Sequence, residues 1–271
     1  MTFDRCLGVN QVDVESFKDG VVVLGDSTTP EVIDDVWNRV QLPDRVPLVI
    51  ADPPYGNIVS NRWDKIKTTD VEFVDWMLCW TRLWQTRLVP GGAFYVWGGI
   101  GKPGFRPFFR YVAEVESAGR FELANLITWK KRRGYGVQNN YLFTREECAY
   151  FVNGSAKRPA TFNVPYLNEL RGYAGFNKKY PAKSPLYRRS NVWTDINEMM
   201  QGKVHPTQKT QRLHEVMIEV HTQPGDVVID LFAGAGTTAM AARKLGRRFV
   251  VFDNDPISFS TSVNRLKGSE T

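Results

Sequence analysis

Four consecutive residues, Asp52-Pro53-Pro54-Tyr55, combine side chains that can bind a ligand with a stiff backbone. They follow an apolar run at residues 48–51, which predicts a buried strand. Each proline fixes its own φ and restricts the residue before it, so Asp52 and Pro53 are held extended. The result is a rigid loop that carries one carboxylate acceptor and one flat ring at the carboxyl end of a strand, where open α/β sheets bind ligands. An ordinary surface turn would use the same residue types, so the rest of the chain must decide between the two.

A second stretch, DLFAGAGTT at residues 230–238, combines a glycine turn with two hydroxyl groups. The residues that matter are Gly234, Gly236, Thr237 and Thr238. The glycines let the backbone approach a ligand closely, and the predicted helix after them would offer free N–H groups at its start. No third glycine completes a dinucleotide fingerprint, which disfavours a pyrophosphate and favours a small carboxylate. Asp253 ends the next predicted strand, a position at which acids bind ribose hydroxyls. The alternative is that the glycines serve only helix–strand packing.

Positive charge is concentrated in one segment of the chain. Residues 130–189 hold thirteen Lys or Arg and three Glu, a net charge of +10, so the remainder of this +6 protein carries −4. Eleven aromatic residues interleave these charges. Basic surfaces with stacking rings are typical of nucleic-acid binding, which we favour over a merely solvated face. The predicted nucleic-acid contacts are Lys130, Lys131, Arg132, Arg133, Lys178, Lys179, Arg188 and Arg189.

Length and composition exclude several classes of protein. A chain of 271 residues can form one large α/β domain or one domain with an insertion. No run of eighteen apolar residues predicts a membrane span, and the N-terminus lacks the pattern of a signal peptide. Three widely spaced cysteines fit a reduced chain, and the three histidines lie far from them, so no metal site is predicted.

The elements that must position these groups alternate between strands and helices. Apolar runs predict strands at 21–27, 48–51, 93–99, 121–129, 146–154, 227–232 and 247–255. Helices are predicted at 30–40, 70–88, 105–118 and 206–223, and a glycine turn into a helix at 233–246. Asp70 is the expected cap of the second helix, and Pro90-Gly91-Gly92 its expected stop. The alternation predicts an α/β fold with a mostly parallel, doubly wound sheet, and the basic segment between strands is expected to be loops or an irregular subdomain.

Taken together, these stretches resemble the beta group of S-adenosylmethionine-dependent DNA amino-methyltransferases. ADPPYGN is similar to the catalytic motif of that family and DLFAGAGTT to its cofactor motif. VHPTQK, at 204–209, resembles its third block, and VLGDS, at 23–27, a short acidic element before the catalytic strand. The order of the motifs, with a basic segment between the first two, is that of the beta group. The chain departs from the family at Thr210, where proline is usual, at Asp253, where glutamate is more common, and in lacking a glycine after that strand.

The resemblance implies a Rossmann-like methyltransferase domain with an inserted basic target-recognition region. Residues 1–129 would form the catalytic half and residues 201–271 the cofactor-binding half of the same domain. Residues 130–200 would form the target-recognition region, and no motif is matched in most of it.

The resemblance also implies a role for each motif residue. Catalysis would fall to Asp52, Pro53, Pro54 and Tyr55. The cofactor S-adenosylmethionine would be bound by Asp230 at its amino group, Thr237 or Thr238 at its carboxylate, Asp253 at its ribose, and Asp26 with Phe232 near its adenine, beside Gly234 and Gly236. His205, Thr207 and Lys209 would meet its methionine end, or form only a structural turn.

The implied reaction is methylation of an exocyclic amine on a base flipped out of duplex DNA. Aspartate at the first motif position favours adenine N6, and the alternative is cytosine N4. Rival interpretations are an RNA or protein-amide methyltransferase, an inactive DNA-binding homologue, and a nucleotide-binding oxidoreductase, which the missing third glycine disfavours. The expected partners are double-stranded DNA, a second copy in a homodimer and a cognate restriction endonuclease, with no membrane. The expected location is cytoplasmic and nucleoid-associated, in a bacterium, an archaeon or a phage.

Overall fold

A computed structural model of the chain describes residues 12–54, 69–98, 101–136, 138–154, 158–170, 184–197 and 208–269. Within these residues the strands are β1 (Asp13–Phe17), β2 (Gly20–Leu24), β3 (Val46–Ala51), β4 (Leu88–Trp97), β5 (Phe121–Tyr135), β6 (Phe143–Asn153), β7 (Tyr166–Leu170), β8 (Leu186–Arg188), β9 (Val192–Trp193), β10 (Val227–Asp230) and β11 (Arg248–Asp253). The helices are α1 (Pro30–Val40), α2 (Asp70–Arg87), α3 (Gly101–Ser117), α4 (Gln211–His221), α5 (Thr237–Lys244) and α6 (Pro256–Gly268).

Nine of these strands form one sheet in the order β1-β2-β11-β10-β3-β4-β6-β5-β9. The central strands from β2 to β4 are all parallel, and β6 then pairs antiparallel with both β4 and β5. The chain leaves β10 through α5 toward β11, and leaves β3 through α2 toward β4 on the other side. The boundary between β10 and β3 is therefore the topological switch point, where sheets of this kind bind ligands.

Helices cover both faces of the sheet, because both faces of the parallel strands are apolar. In β3, Val49 and Ala51 pack into a core with α1, α2 and α3, whereas Leu48 and Ile50 pack into a second core with α4, α5 and α6. This arrangement confirms the predicted α/β class and the mostly parallel, doubly wound sheet.

Helix α2 differs from its prediction at both ends. Its N-cap is Thr69 rather than Asp70, and Thr69 forms a capping box with Glu72, whose side chain accepts from the Thr69 N–H at 2.9 Å. The chain does not break at Pro90-Gly91-Gly92, because β4 begins at Leu88 and runs through these residues. The register between β3 and β4 slips beyond Val46, so the proline and the glycines occupy an irregularity in which proline is tolerated.

The basic segment contains more regular structure than its composition predicts. The boundary predicted at residue 130 falls inside β5, which continues to Tyr135, and β6 also belongs to the main sheet. Strands β7 and β8 form a separate pair, and β9 adds to the edge of β5. The strand predicted at 146–154 is therefore confirmed as β6, whereas the rest of the segment holds more strand than the loops or irregular subdomain expected there. The three-part domain division stays a prediction. Strand β1 and helix α6 were not predicted.

Candidate active site

Four aspartates meet at the carboxyl ends of neighbouring parallel strands. Asp230 and Asp253 end β10 and β11, Asp52 directly follows β3, and Asp26 lies two residues after β2. All four line one cavity with a volume of about 370 Å³. The cavity lies at the switch point, and its size is that of a small-molecule binding site.

Asp253 is held by backbone N–H groups from two directions. The N–H of Gly234 donates to one carboxylate oxygen at 2.8 Å, and that of Asp255 donates to the other at 2.9 Å. Burial raises the pKa of Asp253 to about 7, although both N–H donors act to lower it. The carboxyl group therefore faces the cavity in a fixed orientation and titrates near neutrality.

Asp230 lies at the end of a short chain of buried hydrogen bonds. The hydroxyl of Thr238 donates to its carboxylate, and the N–H of Phe232 donates to the other oxygen at 3.0 Å. His214 Nδ1 lies 2.7 Å from the Thr238 hydroxyl oxygen, so the ring N–H is the donor there. Burial lowers the pKa of His214 to about 3 and raises that of Asp230 to about 6. The histidine is therefore neutral and orients the carboxyl group through the threonine.

The glycine turn between β10 and α5 needs left-handed backbone at two positions. Gly234 has φ 53° and Gly236 has φ 70°, and Gly236 is the N-cap of α5. A Cβ on Gly236 would also come within 2.9 Å of the Ser262 hydroxyl in α6. That hydroxyl donates to the Gly234 carbonyl at 2.9 Å. Helix α6 therefore supports the turn, and a side chain at Gly236 would displace it.

One wall of the cavity is aromatic. Phe232 and Trp76 both line it, with ring centroids 6.0 Å apart. Trp80 packs edge-on against Phe232 from behind, at 5.7 Å, and is fully buried. These fixed rings form an apolar wall suited to a flat ligand ring.

Asp52, which also lines the cavity, belongs to a largely buried network of alternating charges. Lys209 forms an ion pair with Asp52, and its ammonium also lies 3.4 Å from the carboxylate of Glu146. The second oxygen of Glu146 is paired with Lys131. Burial lowers the pKa of Lys209, but Asp52 and Glu146 outweigh it and raise the pKa overall. Lys209, whose ammonium also lies 5.0 Å from the centroid of the Trp97 ring, is therefore a permanent cation beside Asp52.

The structure brings most of the predicted site residues to one place. The predicted residues that line the cavity are Asp26, Asp52, Pro54, Asp230, Phe232, Gly234, Thr237, Asp253 and Lys209. Three others support its wall without lining it: Pro53, Gly236 and Thr238. Tyr55, His205, Thr207, Lys178 and Lys179 lie outside the described residues. His214, Trp76 and Gln208 also line the cavity and were not predicted. His214 and Trp76 carried no motif signal, whereas Gln208 lies within the VHPTQK motif.

The predicted nucleic-acid contacts differ in how far their side chains are exposed. Lys130, Arg132, Arg133 and Arg188 are exposed. Lys131 is a correction, because its side chain is 13% exposed and is paired with the buried Glu146. Arg189 is another, because its side chain is 5% exposed and donates twice to Asp195, at 2.6 and 2.7 Å. Both cations are thus held by carboxylates of the protein itself, Lys131 by a buried one and Arg189 by a partly exposed one.

Comparison with known proteins identifies the family. The sequence profile of a family of DNA methylases of the N6/N4 type matches residues 46–262. The chain belongs to this DNA methylase family. The chain is 28% identical to the Type II methyltransferase M2.LlaDCHI of Lactococcus lactis subsp. cremoris, over 84% of this chain and 85% of the relative. It is also 28% identical to M2.DpnII of Streptococcus pneumoniae, over 83% and 84%.

Solved structures of similar proteins have the same fold as this methylase. The M1.HpyAVI–SAM complex matches with a TM-score of 0.60 and 23% identity, over 90% of this chain and 98% of that one. The cytosine-N4-specific PvuII DNA methyltransferase matches with a TM-score of 0.69 and 20% identity, over 92% and 87%. These comparisons confirm the resemblance to the amino-methyltransferases and the Rossmann-like methyltransferase fold. The methylase is thus an S-adenosylmethionine-dependent enzyme that acts on DNA.

The cavity fits this cofactor chemically. Its volume suits a molecule of nucleoside size, and one wall is aromatic. The carboxyl groups that line it can accept hydrogen bonds from hydroxyl or ammonium groups. Among the described residues, no group of three or more His, Cys, Asp and Glu is arranged to hold a metal ion. No helix in the described ranges is long and apolar enough to cross a bilayer.

Proposed function

We propose that this methylase transfers a methyl group to N6 of an adenine flipped out of duplex DNA, with Asp52 as the main acceptor for the adenine amine. The supporting observation is the position of Asp52. It follows β3 at the switch point, lines the cofactor cavity, keeps 23% of its side chain exposed, and is ion-paired with Lys209. A substrate entering from outside can therefore reach it without opening the core.

The chemistry explains why a rigid acceptor is needed. An exocyclic amine is a poor nucleophile, because its lone pair is delocalised into the base. S-adenosylmethionine supplies the methyl group when bound. Asp52 and the Pro53 carbonyl would accept from the two amine N–H groups, which favours a pyramidal nitrogen and stabilises the positive charge that develops there. The two prolines hold these acceptors in place before the reaction begins.

Extrusion of the base is the main cost of this mechanism. Unpairing and unstacking cost about a few kcal/mol. In the sequence the next residue after the described loop is Tyr55, whose ring we propose as the stacking partner, and such stacking returns roughly 1–3 kcal/mol. The exposed cations Lys130, Arg132 and Arg133 would hold the backbone of the duplex through its phosphates.

Lys209 has a different role in this proposal from the one its motif implies. Its ammonium is engaged by Asp52 and Glu146, so it acts as a positioning residue for the catalytic carboxylate. The ion pair with this cation limits the rotation of the Asp52 carboxylate. The methionine end of the cofactor would then be met by the glycine turn and Thr237.

We propose the following cofactor contacts. Asp253 would accept from the ribose hydroxyls, and Asp230 from the amino group. The wall formed by Phe232 would contact the adenine ring near Asp26. Each assignment pairs a fixed group of the cavity with the part of the cofactor that it can bind.

The assignment to adenine depends on the aspartate at position 52. It is an association within the family and not a chemical argument, because the adenine and cytosine amines need the same acceptors. Mass spectrometry of nucleosides from DNA of a methylation-free host that expresses the protein decides it. We expect N6-methyladenine with the wild type and none with Asp52→Ala. N4-methylcytosine would overturn the base assignment and leave the role of Asp52 intact.

We further infer a cognate restriction endonuclease, since the relatives bear the name Type II methyltransferase. The methylase would act with the nucleoid in the cytoplasm, as a homodimer. DNA methylated by it should resist a nuclease encoded beside its gene, and sedimentation should give twice the mass of 30.9 kDa. Cleavage of fully methylated DNA by that nuclease, or a monomer at working concentration, would contradict these inferences.

A further inference from the structure

The β5–β6 hairpin projects beyond the main sheet on the side of the active site. Strand β4 stops pairing with β6 at Trp97 and Cys148. Strands β5 and β6 pair on to Lys130 and Arg145 and, beyond an irregularity in β5, again at Tyr135 and Phe143. Trp97 is the carboxyl end of β4, and β3 runs parallel to it, so the hairpin leaves the sheet at the edge that carries Asp52.

The root of this hairpin is joined to the catalytic carboxylate. Glu146 on β6 and Lys131 on β5 form an ion pair, and Glu146 also contacts Lys209, which is paired with Asp52. The side chains of Glu146 and Lys209 are only 5% and 6% exposed, so the root of the hairpin cannot move without disturbing the site. A nucleobase that reaches Asp52 must therefore come from DNA lying beside the hairpin.

The tip of the hairpin consists of a polar turn at 138–140 followed by two exposed apolar side chains. Tyr141 is 92% exposed, more than any other large apolar side chain that the structure describes, and the adjacent Leu142 is 63% exposed. A Cβ added to Gly134 or Gly136 would come within 2.9 Å of the Leu142 side chain, so the two glycines let it lie across the opposite arm. Two adjacent apolar side chains on a projecting tip are typical of a surface that is buried in a complex.

The arms of the hairpin are basic, so the partner expected to cover the tip is a polyanion. Lys130 and Arg145 are direct cross-strand partners, and Arg145 keeps 64% of its side chain exposed although it is paired with Glu147 at 3.0 Å. Phosphates of a nucleic acid can accept from exposed cations on both arms. Arg132 and Arg133, also exposed, continue the same arm toward the tip.

We propose that Tyr141 and Leu142 form a wedge that enters the DNA base stack beside the target base and fills the space that the flipped base leaves. From Glu146 at the root to Leu142 at the tip is roughly 13 Å of strand, enough to cross a groove about 8.5 Å deep. Apolar side chains inserted at a base step are a known means of unstacking a duplex. This inference rests on the proposed flipping of the target base, but not on which base is methylated.

The test compares two forms of the DNA site found by sequencing methylated DNA. In one the target base is correctly paired, and in the other it is mispaired and therefore already loosened. We expect the double variant Tyr141→Ala and Leu142→Ala to lose roughly 10- to 100-fold in kcat/KM on the paired site, the range of one lost stacking contact, and to recover most of it on the mispaired site. Tyr141→Phe should keep near wild-type activity on both.

Lys130→Ala is the matched control, because a lost phosphate contact weakens both substrates equally. Equal losses by the double variant on both sites, or no loss on the paired site, would overturn the wedge. Unchanged cofactor binding and thermal unfolding show that the double variant is folded. If the wild type methylates cytosine, the assignment to adenine fails, but the test of the wedge still applies. If the wild type methylates paired and mispaired sites equally and the double variant is unaffected, the wedge is overturned.

Discussion

Cofactor binding should depend on pH through Asp253, whose pKa is raised by burial to about 7. Only the ionised carboxylate accepts strongly from ribose hydroxyls, and a protonated carboxyl group turns one of its oxygens into a donor. With a pKa of about 7, about one tenth of the molecules are ionised at pH 6 and about nine tenths at pH 8. Since a raised pKa means that the charged form is lost as pH falls, affinity should be about tenfold higher at pH 8 than at pH 6.

Isothermal titration calorimetry with S-adenosylmethionine measures this directly, with Asp253→Asn as the matched variant that cannot titrate. The α-amino group of the ligand also titrates near pH 8, but it does so for both proteins, so the ratio of the two dissociation constants removes it. Asp230, whose pKa is about 6, also lines the cavity, so the variant should keep a weaker dependence centred near that pH. A ratio that does not change between pH 6 and pH 8, or a wild type that binds more tightly at the lower pH, would exclude Asp253 as the titrating group.

Three further predictions concern the catalytic network, the DNA-binding surface and a helix cap. Lys209→Met should lower kcat for methylation about a hundredfold, because the catalytic carboxylate loses its partner. A higher KM for the cofactor with unchanged kcat would instead make Lys209 a cofactor ligand. Lys130→Ala and Arg132→Ala should each lower the slope of log affinity against log salt by about 0.9, measured by filter binding, while the buried Arg189→Ala leaves it unchanged; equal slopes in all three contradict the assignment. Thr69→Ala should lower the free energy of unfolding in urea by about 1 kcal/mol with m unchanged, and Thr69→Ser by only a few tenths; a neutral alanine variant would exclude the cap as a stabilising element.

Elements with strong local signals could be predicted from the sequence. Helix Pro30–Val40 matches the prediction, because its valines recur at helical spacing and proline suits its first turn. Helix Pro256–Gly268 was missed, although Asp255 caps it and proline starts it, because its apolar residues form no strong stripe. The path of β4 through Pro90-Gly91-Gly92 depends on pairing with β3, a non-local interaction that overrides local turn preference.

Part of the candidate site could also be predicted, from the acids that end the predicted strands. Parallel strands bring their carboxyl ends to one edge, so the acids that end them had to meet there once the sheet was assumed. The contacts between distant side chains could not be predicted. Asp52 and Lys209 are 157 residues apart, and His214 meets Thr238 across two packed helices. The roles of Lys131 and Arg189 likewise depend on which carboxylates the fold places beside them.

The role of Asp52 is tested most directly by methyl transfer from radiolabelled S-adenosylmethionine into duplex DNA by the wild type and by Asp52→Ala, with cofactor affinity measured on both proteins. Transfer should fall at least about a hundredfold in the variant, since the acceptor for the amine is gone. Cofactor affinity should stay within about threefold, because Asp253, Asp230 and the aromatic wall remain. A variant that transfers methyl groups at the wild-type rate would contradict the central claim that Asp52 activates the base.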